Sequence, residues 1–181
     1  MNKENHRCPN NYGLFILPLF LLFQFVLTGC SGPMLVKDGK SAYKIFVSKQ
    51  AISADKFAAS ELKKYLKEIS GVTLEITHEA NQKGPTIYVG LKDLSPELLK
   101  EIDGSAFGPE EYINQRQGRN LVIAGGEPRG TLYGVIGFLS DHLGCRWYTR
   151  EVTKIPKSKS IALPDVEDRQ KPAFEYREAW Y

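Results

Sequence analysis

The chain of 181 residues has few cysteines, no internal repeat and no excess of charge, and each shortage excludes a class of protein. Its three cysteines, Cys8, Cys30 and Cys145, are too few for a disulfide framework and spell out no metal site. The formal net charge is +3, and no dense stripe of lysine and arginine with interleaved aromatic residues occurs. We therefore expect no nucleic-acid partner, no polyanion-binding surface, no metal and no cofactor.

The chain also has no apolar run long enough to span a bilayer comfortably. The run over residues 14–27 is shorter than the ~20 residues of a spanning helix, and a proline and a glutamine interrupt it. Lys3 and Arg7 precede this run and small residues follow it, which predicts a secretory signal peptide over residues 1–29. The alternative is an uncleaved membrane anchor with an incidental cysteine.

Leu27-Thr28-Gly29-Cys30 resembles the bacterial lipobox, in which the cysteine becomes the lipidated first residue of the mature protein. The resemblance implies a lipid anchor on Cys30 and an extracytoplasmic location, in the periplasm or at the outer membrane or cell surface. Removal of residues 1–29 takes away two basic groups and one acidic group, so the net charge changes from +3 to +2. Residues 30–42 are predicted to be a short polar tether, and residues 43–165 are long enough for one domain with its own core.

The remaining sequence mixes strand and helix patterns. Alternating or β-branched runs predict strands at residues 43–47, 72–77, 86–90, 111–116, 120–124, 145–148 and 161–163. Apolar residues at helical spacing predict one helix over residues 53–70, with Ser53 as its N-cap and Phe57 in its buried stripe. A second helix is predicted to begin near Pro128 and to stop at Gly144. We expect an α+β fold, with a mixed sheet of about five to six strands and two main helices packed on one face.

Gly130, Gly134 and Gly137 recur on one face of the second predicted helix. An interior glycine costs about 0.5–1 kcal/mol relative to alanine, so three on one stripe indicate that the helix backbone lies directly against a sheet. The preceding turn, Gly125-Gly126, imitates a phosphate-binding loop, but the glutamate and proline that follow add a negative charge and remove a donor. We therefore expect tight packing at this turn rather than nucleotide binding.

Two motifs near the end of this helix invite a catalytic interpretation. Ser140-Asp141-His142 has the letters of a hydrolase triad, but adjacent side chains on a helix diverge by about 100° and cannot form a relay. His142 is instead expected to cap carbonyl groups at the helix C-terminus. Cys145 is expected to be a small buried residue rather than a thiol nucleophile, because free cysteine is among the most buried residue types.

The acidic residues could suggest a glycosidase. Glycosidic cleavage needs two carboxyl groups about 5–9.5 Å apart across a cleft, one of them with a raised pKa. The pair Glu110-Glu111 lies at the edge of a hairpin, and Asp165 with Glu167 and Asp168 lies in a polar segment, so both groups are expected to be solvated. His78 lies in a loop with no evident partner. We expect no catalytic residue in this chain.

The order and spacing of several segments resemble a known domain. The segments are Glu61-Leu62-Lys63-Lys64-Tyr65-Leu66, Ile87-Tyr88-Val89-Gly90, Leu121–Gly126 and Pro128–Tyr148. Together they resemble the N-terminal domain of family-67 α-glucuronidases and of related bacterial glycosidase-like lipoproteins, and they are similar to the small second domain of β-hexosaminidases. The resemblance implies an accessory domain that precedes a (β/α)₈ barrel, and the barrel holds the catalytic carboxylates.

A barrel takes about 250 residues, so the sequence is expected to stop before it. Residues 166–181 are predicted to be a linker and the first barrel strand, Phe174–Arg177. In β-hexosaminidases an arginine in a similar setting grips sugar hydroxyls, which implies a substrate contact for Arg177. Glu178 stands where a glycine is typical there, and the alternative is an arginine that closes the base of the barrel or pairs with Glu175 or Glu178.

Two classes of function are therefore open. The first is the inactive leading portion of an extracytoplasmic glycoside hydrolase. Such a protein would contact the membrane through its lipid anchor and carbohydrate through the missing catalytic domain. It predicts a large apolar face around Trp147 and residues 174–181 that another domain covers. The second is a lipid-anchored module that stands alone, binds a glycan or a protein and does no chemistry.

Overall fold

The structure is a computed structural model that describes residues 32–79, 83–102 and 107–173. The elements, in chain order, are β1 (Met34–Val36), β2 (Lys44–Phe46), α1 (Ser53–Ser70), β3 (Glu75–Thr77), β4 (Thr86–Val89), α2 (Pro96–Glu101), β5 (Tyr112–Gln117), β6 (Asn120–Gly125), α3 (Gly130–Gly137), β7 (Arg146–Trp147), β8 (Thr153–Lys154), β9 (Ile161–Ala162) and β10 (Glu167–Gln170). The predicted signal peptide with Cys30, and the predicted barrel strand with Arg177, lie outside the described residues.

Six strands form the central sheet, in the order β10-β5-β6-β4-β2-β3. The pairs β2–β3, β2–β4 and β4–β6 are parallel, whereas β5 is antiparallel to both β6 and β10. The β5–β6 hairpin turns at Gly118, whose φ of 61° is a conformation that glycine adopts without strain. The predicted α+β fold with a mixed sheet of five to six strands is thus confirmed.

Each central strand contributes to both faces of the sheet because successive side chains point in opposite directions. Ile45, Ile87 and Ile123 lie in the larger hydrophobic cluster, which also contains the buried side chains of α1 and α3. The adjacent strand residues Phe46, Tyr88 and Val122 lie in a smaller cluster on the other face. Leu94 and Ile102, from the segment around α2, belong to the same cluster. The two main helices therefore share one face, as predicted, and the short α2 covers the other.

Helix α1 has the predicted bounds but differs in two details. Its N-cap is Ile52, which makes no capping side-chain bond, so the prediction of Ser53 as N-cap is wrong. Phe57 is 54% exposed, whereas Ala58 is fully buried. The buried stripe passes through Ala58, and Phe57 is rotated from it by about 100°. At the other end Gly71 adopts a φ of 79° and donates its N–H to the Lys67 carbonyl, which stops the helix as predicted.

The glycines of α3 place its backbone on the sheet, as the sequence predicts. A Cβ on Gly130 would overlap the Glu111 carbonyl oxygen, and one on Gly134 would lie 3.0 Å from Ile123 Cγ2. A Cβ on Gly137 would lie 2.6 Å from the Tyr112 hydroxyl oxygen. The helix begins at Gly130, after the proline expected in its first turn, and continues as a π turn, Phe138–His142, before the chain turns at Gly144 with a φ of 73°.

Two predicted linkers are partly folded. Residues 34–36 lie in the predicted tether, yet they pair with β9, and Leu35 and Val36 are fully buried. Glu167–Gln170 lies in the predicted linker, yet it pairs along its whole length with β5. The tether over 34–36 and the linker over 167–170 are therefore corrected to strands. The second is polar because an edge strand with half-exposed faces does not require an apolar pattern.

Strand β10 is attached to β5 by a buried carboxylate as well as by the backbone. Arg169 Nε donates to Glu111 Oε1 at 2.7 Å, and the Gly108 N–H donates to Glu111 Oε2 at 2.9 Å. The Arg169 guanidinium also lies over the Phe107 ring, 4.7 Å from its centroid. The Gly108 hydrogen bond and the Arg169 hydrogen bond hold the pKa of Glu111 below its usual range. Glu111 is 8% exposed, so the prediction of a solvated charge is wrong for this residue.

We expect Gly130→Ala to destabilise the domain. Alanine normally improves a helix, but here its methyl group would overlap the Glu111 carbonyl, so a net loss of about 1–3 kcal/mol is expected in the free energy of unfolding measured with urea. Gly137→Ala is the matched control, since the atom it meets is the movable end of Tyr112 and the loss should be smaller. Equal stability of Gly130→Ala and the parent chain would contradict this packing.

We expect Glu111→Gln to lower the free energy of unfolding at neutral pH by about 1–3 kcal/mol, because it removes a charged acceptor from two hydrogen bonds. The Glu111 pKa is lowered on folding, so its stabilisation is present above the unfolded pKa of about 4.3 and is lost as the pH falls through the folded value. The difference between variant and parent should therefore shrink below about pH 4.

Glu75→Gln is the matched control for this titration, because Glu75 pairs with Lys44 at 3.0 Å but its side chain is 65% exposed. Its effect at neutral pH should be well below that of Glu111→Gln, since exposed pairs contribute little. A pH-independent difference for Glu111→Gln would refute the assignment of its stabilising effect to the ionised carboxylate.

Candidate functional site

The carboxyl ends of the parallel strands β2, β3, β4 and β6 meet at one edge of the sheet, here called the carboxyl edge. In open sheets of this kind, ligands bind outside that edge, where successive connections leave for opposite faces. In this chain α1 follows β2 on one face and the α2 segment follows β4 on the other. A ligand-binding site is therefore expected in the crevice between the ends of β2 and β4.

A buried hydrogen bond spans this crevice. Ser48, just after β2, is 1% exposed and donates its hydroxyl to the carboxylate of Asp93 in the loop after β4. The same hydroxyl oxygen accepts the Gln50 N–H at 2.9 Å. Asp93 has a φ of 61°, a strained conformation that the loop retains at this point. The polar groups that could receive a ligand thus bind one another and fasten the two loops together.

A second buried carboxylate joins the two helices at this edge. Asp55, in the first turn of α1, is 7% exposed and accepts a hydrogen bond from the Thr131 hydroxyl at the start of α3. A Cβ on Gly90 would lie 2.7 Å from Asp55 Oδ2, so the carboxylate packs against the end of β4. Burial raises the Asp55 pKa, the Thr131 bond opposes the shift, Glu127 adds to it, and Lys92 opposes it.

Three of the acidic residues considered for glycosidic cleavage, Glu110, Glu111 and Asp165, are each held in a separate ion pair. Glu110 accepts from Arg129 at 2.5 Å, while Glu111 binds Arg169 as described above. Asp165 accepts from Arg116 Nε at 2.9 Å. A glycosidase pair must face a common cleft, with one carboxyl group kept protonated. These carboxylates instead fix neighbouring strands and turns.

The Ser140-Asp141-His142 motif forms no relay. The Ser140 hydroxyl does donate to Asp141 Oδ1 at 2.5 Å, although adjacent helical side chains were expected to diverge. His142 packs its ring against Phe138, with 5.6 Å between centroids, and its buried Nε2 has no hydrogen-bond partner in the described part of the chain. His142 Nε2 therefore caps no carbonyl group of the described residues, although capping was the role predicted for His142.

The remaining reactive side chains have structural surroundings. Cys145 is fully buried, as predicted, and burial raises its thiol pKa, which is the opposite of what an activated nucleophile needs. His78 Nδ1 lies 2.8 Å from the Val47 carbonyl oxygen, so the prediction that His78 lacks a partner is wrong. Among the described residues, no group of three or more histidine, cysteine, aspartate or glutamate side chains is placed to hold a metal ion.

None of the helices within residues 32–79, 83–102 and 107–173 combines the length and the hydropathy needed to cross a bilayer.

Comparison with known proteins gives one family and a partial structural likeness. The model of the glycosyl hydrolase family 67 N-terminus matches residues 36–138. A solved GH115 4-O-methyl-α-glucuronidase, BtGH115A, described as specific for decorated arabinogalactans, has a TM-score of 0.55 and 17% identity over 80% of this chain and 19% of that enzyme. A solved GH138 enzyme, described as targeting pectin rhamnogalacturonan II, has a TM-score of 0.37 and 20% identity over 55% of this chain and 13% of that enzyme. Among curated protein sequences, none matches this chain.

The likeness to BtGH115A concerns the fold, and this chain spans only 19% of that enzyme. The family match is stronger evidence, because it runs from the end of β1 to the end of α3. It therefore includes both main helices and the four parallel strands of the central sheet. The same segments carry the resemblance noted in the sequence. Since the matched region is more than half of the chain, the chain belongs to the glycosyl hydrolase family 67 N-terminus family, and its folded domain is a glycoside-hydrolase-related accessory domain.

Proposed function

We propose that this domain is the non-catalytic N-terminal part of an extracytoplasmic, α-glucuronidase-like glycoside hydrolase. Its work is to support a catalytic barrel encoded beyond the given sequence. The observation that carries the proposal is the family match over residues 36–138. In this proposal the domain meets carbohydrate through the catalytic barrel, and it meets the membrane through a lipid on Cys30.

The geometry of the carboxyl edge favours a structural role for this domain over a catalytic role. Ser48 binds Asp93 and Thr131 binds Asp55, so each pair joins two elements of the sheet and its helices. Glu110 and Glu111 are engaged with two different arginines. Groups that are fully engaged with one another stabilise a fold but present no free acid and base to a glycosidic bond.

The exposed side chains near Trp147 also support the proposal of a neighbouring domain. Trp147 itself packs edge-on to Tyr65 at 5.3 Å and donates its indole N–H to the Tyr65 hydroxyl at 2.8 Å. The next large side chains on this hairpin, Tyr148 and Val152, are 64% and 55% exposed. The proposal accounts for these two exposed side chains as part of a surface that another domain covers. We include in the proposal that Arg177, beyond β10, contacts the substrate from the first barrel strand.

We expect the full chain to show no turnover of aryl α-D-glucuronides, measured by release of the chromophore at several pH values. A complete family-67 α-glucuronidase is the positive control. The DNA downstream of the Tyr181 codon is expected to continue in frame with repeated strand–helix units. Turnover by the present chain would contradict the proposed function and the non-catalytic alternative alike, because it would reveal a catalytic site within these residues. A stop codon directly after Tyr181 would contradict the proposed function and favour the alternative of a module that stands alone.

We expect Cys30→Ser to abolish the incorporation of radiolabelled palmitate into the protein in a bacterial expression host. The physical reason is that the thiol is the attachment point of the proposed lipid. Cys8→Ser is the matched control, because it removes a cysteine from the same N-terminal region without touching the proposed site, and it should still be labelled. Labelling of Cys30→Ser would refute the anchor.

A further inference from the structure

A groove with four lysines runs along the outer side of α1, in its C-terminal half. Its volume is about 770 Å³. We call it the lysine groove, and it is lined by Ser60, Lys63, Lys64, Lys67, Glu68, Thr73 and Lys157. Four cationic side chains and one carboxylate give it a local excess of positive charge. Glu68 in the lining and Glu61, which pairs with Lys64, offset two of the four positive charges, so an excess of two remains.

The four ammonium groups of the groove differ in their partners. Lys64 pairs with Glu61 at 3.6 Å and lies over the Tyr65 ring, 4.8 Å from its centroid. Lys157 Nζ donates to the Glu68 carbonyl oxygen at 2.6 Å. Within the described parts of the chain, Lys63 and Lys67 have no ion-pair partner. These two are therefore available to an anion.

The spacing of these two lysines is not explained by the helix itself. Lys63 and Lys67 lie at positions i and i+4 on one face, where like charges destabilise a helix. Lys67 is in the last turn, where a cation is favoured by the helix dipole, but the effect fades within that turn and does not extend to Lys63. A bound anion would offset the repulsion between the two ammonium groups.

The walls of the groove are fixed relative to each other. The Ser158 N–H donates to the Ile69 carbonyl at 2.9 Å, which fastens the segment after β8 to the end of α1. The Lys157 bond to the Glu68 carbonyl adds a second attachment at the same place. Behind this wall Trp147 is bound to Tyr65 of α1. The backbone of a groove held in this way loses little conformational entropy when a ligand enters, although the lysine side chains must still be ordered.

We propose that the lysine groove binds an acidic polysaccharide through its uronate carboxylates, as an accessory site separate from the catalytic barrel. This inference rests on the proposed function, which supplies the glycan. Lys63 and Lys67 bind a carboxylate, while Ser60, Thr73 and Glu68 offer donors and acceptors to the sugar hydroxyls. That mixture suits an acidic sugar better than an anionic lipid surface, where Glu68 would face a layer of phosphates.

The test uses the full chain and 4-O-methylglucuronoxylan, with binding measured by affinity electrophoresis and by calorimetry at low ionic strength. The parent chain should bind, and the binding should weaken at about 0.5 M salt, because exposed ion pairs are screened. Carboxyl-reduced glucuronoxylan should bind much more weakly. Lys63→Gln/Lys67→Gln should weaken binding about four-fold, since each exposed pair contributes roughly a factor of two.

Lys56→Gln/Lys100→Gln is the matched control, because it removes the same charge from two exposed lysines outside the groove and should leave binding within about two-fold. The proposal is overturned if the parent chain does not bind glucuronoxylan, if the carboxyl-reduced glycan binds equally well, or if both double variants lose affinity alike. It is also overturned if Lys63 and Lys67 are needed for binding to phosphatidylglycerol vesicles but not to the glycan.

The experiments distinguish failure of the binding proposal for the lysine groove from failure of the proposed function. Absence of glycan binding together with an in-frame barrel downstream would remove the accessory site and leave the supporting role. A stop codon after Tyr181 with groove-dependent glycan binding would remove the supporting role and leave a glycan-binding module.

Discussion

The backbone of α3 lies directly on the ends of β5 and β6, and the arrangement of the carboxyl edge depends on that approach. The Glu111 carbonyl oxygen occupies the space that a Cβ of Gly125 or Gly130 would need, and it accepts the Gly126 N–H at 2.8 Å. The side chain of the same residue binds Arg169 and the Gly108 N–H. Glu111 thus couples the position of α3 to the edge strand β10, so that helix packing and sheet pairing stabilise each other.

This coupling explains why the edge that usually binds ligands is filled with internal bonds. The start of α3 is fixed by its glycines, which places Thr131 where it donates to Asp55 of α1. Asp55 in turn packs against Gly90, and the loop that follows Gly90 is bound to Ser48 through Asp93. A ligand entering here would have to break bonds between buried polar groups, each costly to leave unpaired. The internal bonds therefore make this edge rigid, which is what the proposed supporting role requires.

The elements that could be predicted from the sequence are those specified by nearby residues. The 53–70 helix, the strands at residues 111–116 and 120–124 and the glycine face of α3 follow from periodicity and from local conformational preference. What could not be predicted depends on partners far along the chain. Glu111 looks like a surface charge until Arg169, 58 residues away, is brought beside it, and Met34–Val36 looks like a tether until β9 pairs with it. No local signal marks either pairing.

The distribution of charge separates the two sides of the molecule. At the carboxyl edge Glu110 and Glu111 are each paired with an arginine, so the field of these two carboxylates is largely compensated where it arises. On the outer side of α1, by contrast, Lys63 and Lys67 keep their charge beside a fixed wall. Uncompensated charge on a rigid surface attracts an oppositely charged partner without a conformational change in the domain. In the two roles proposed above, the carboxyl edge, bonded to itself, supports the neighbouring domain, and the outer side of α1 meets the anionic glycan.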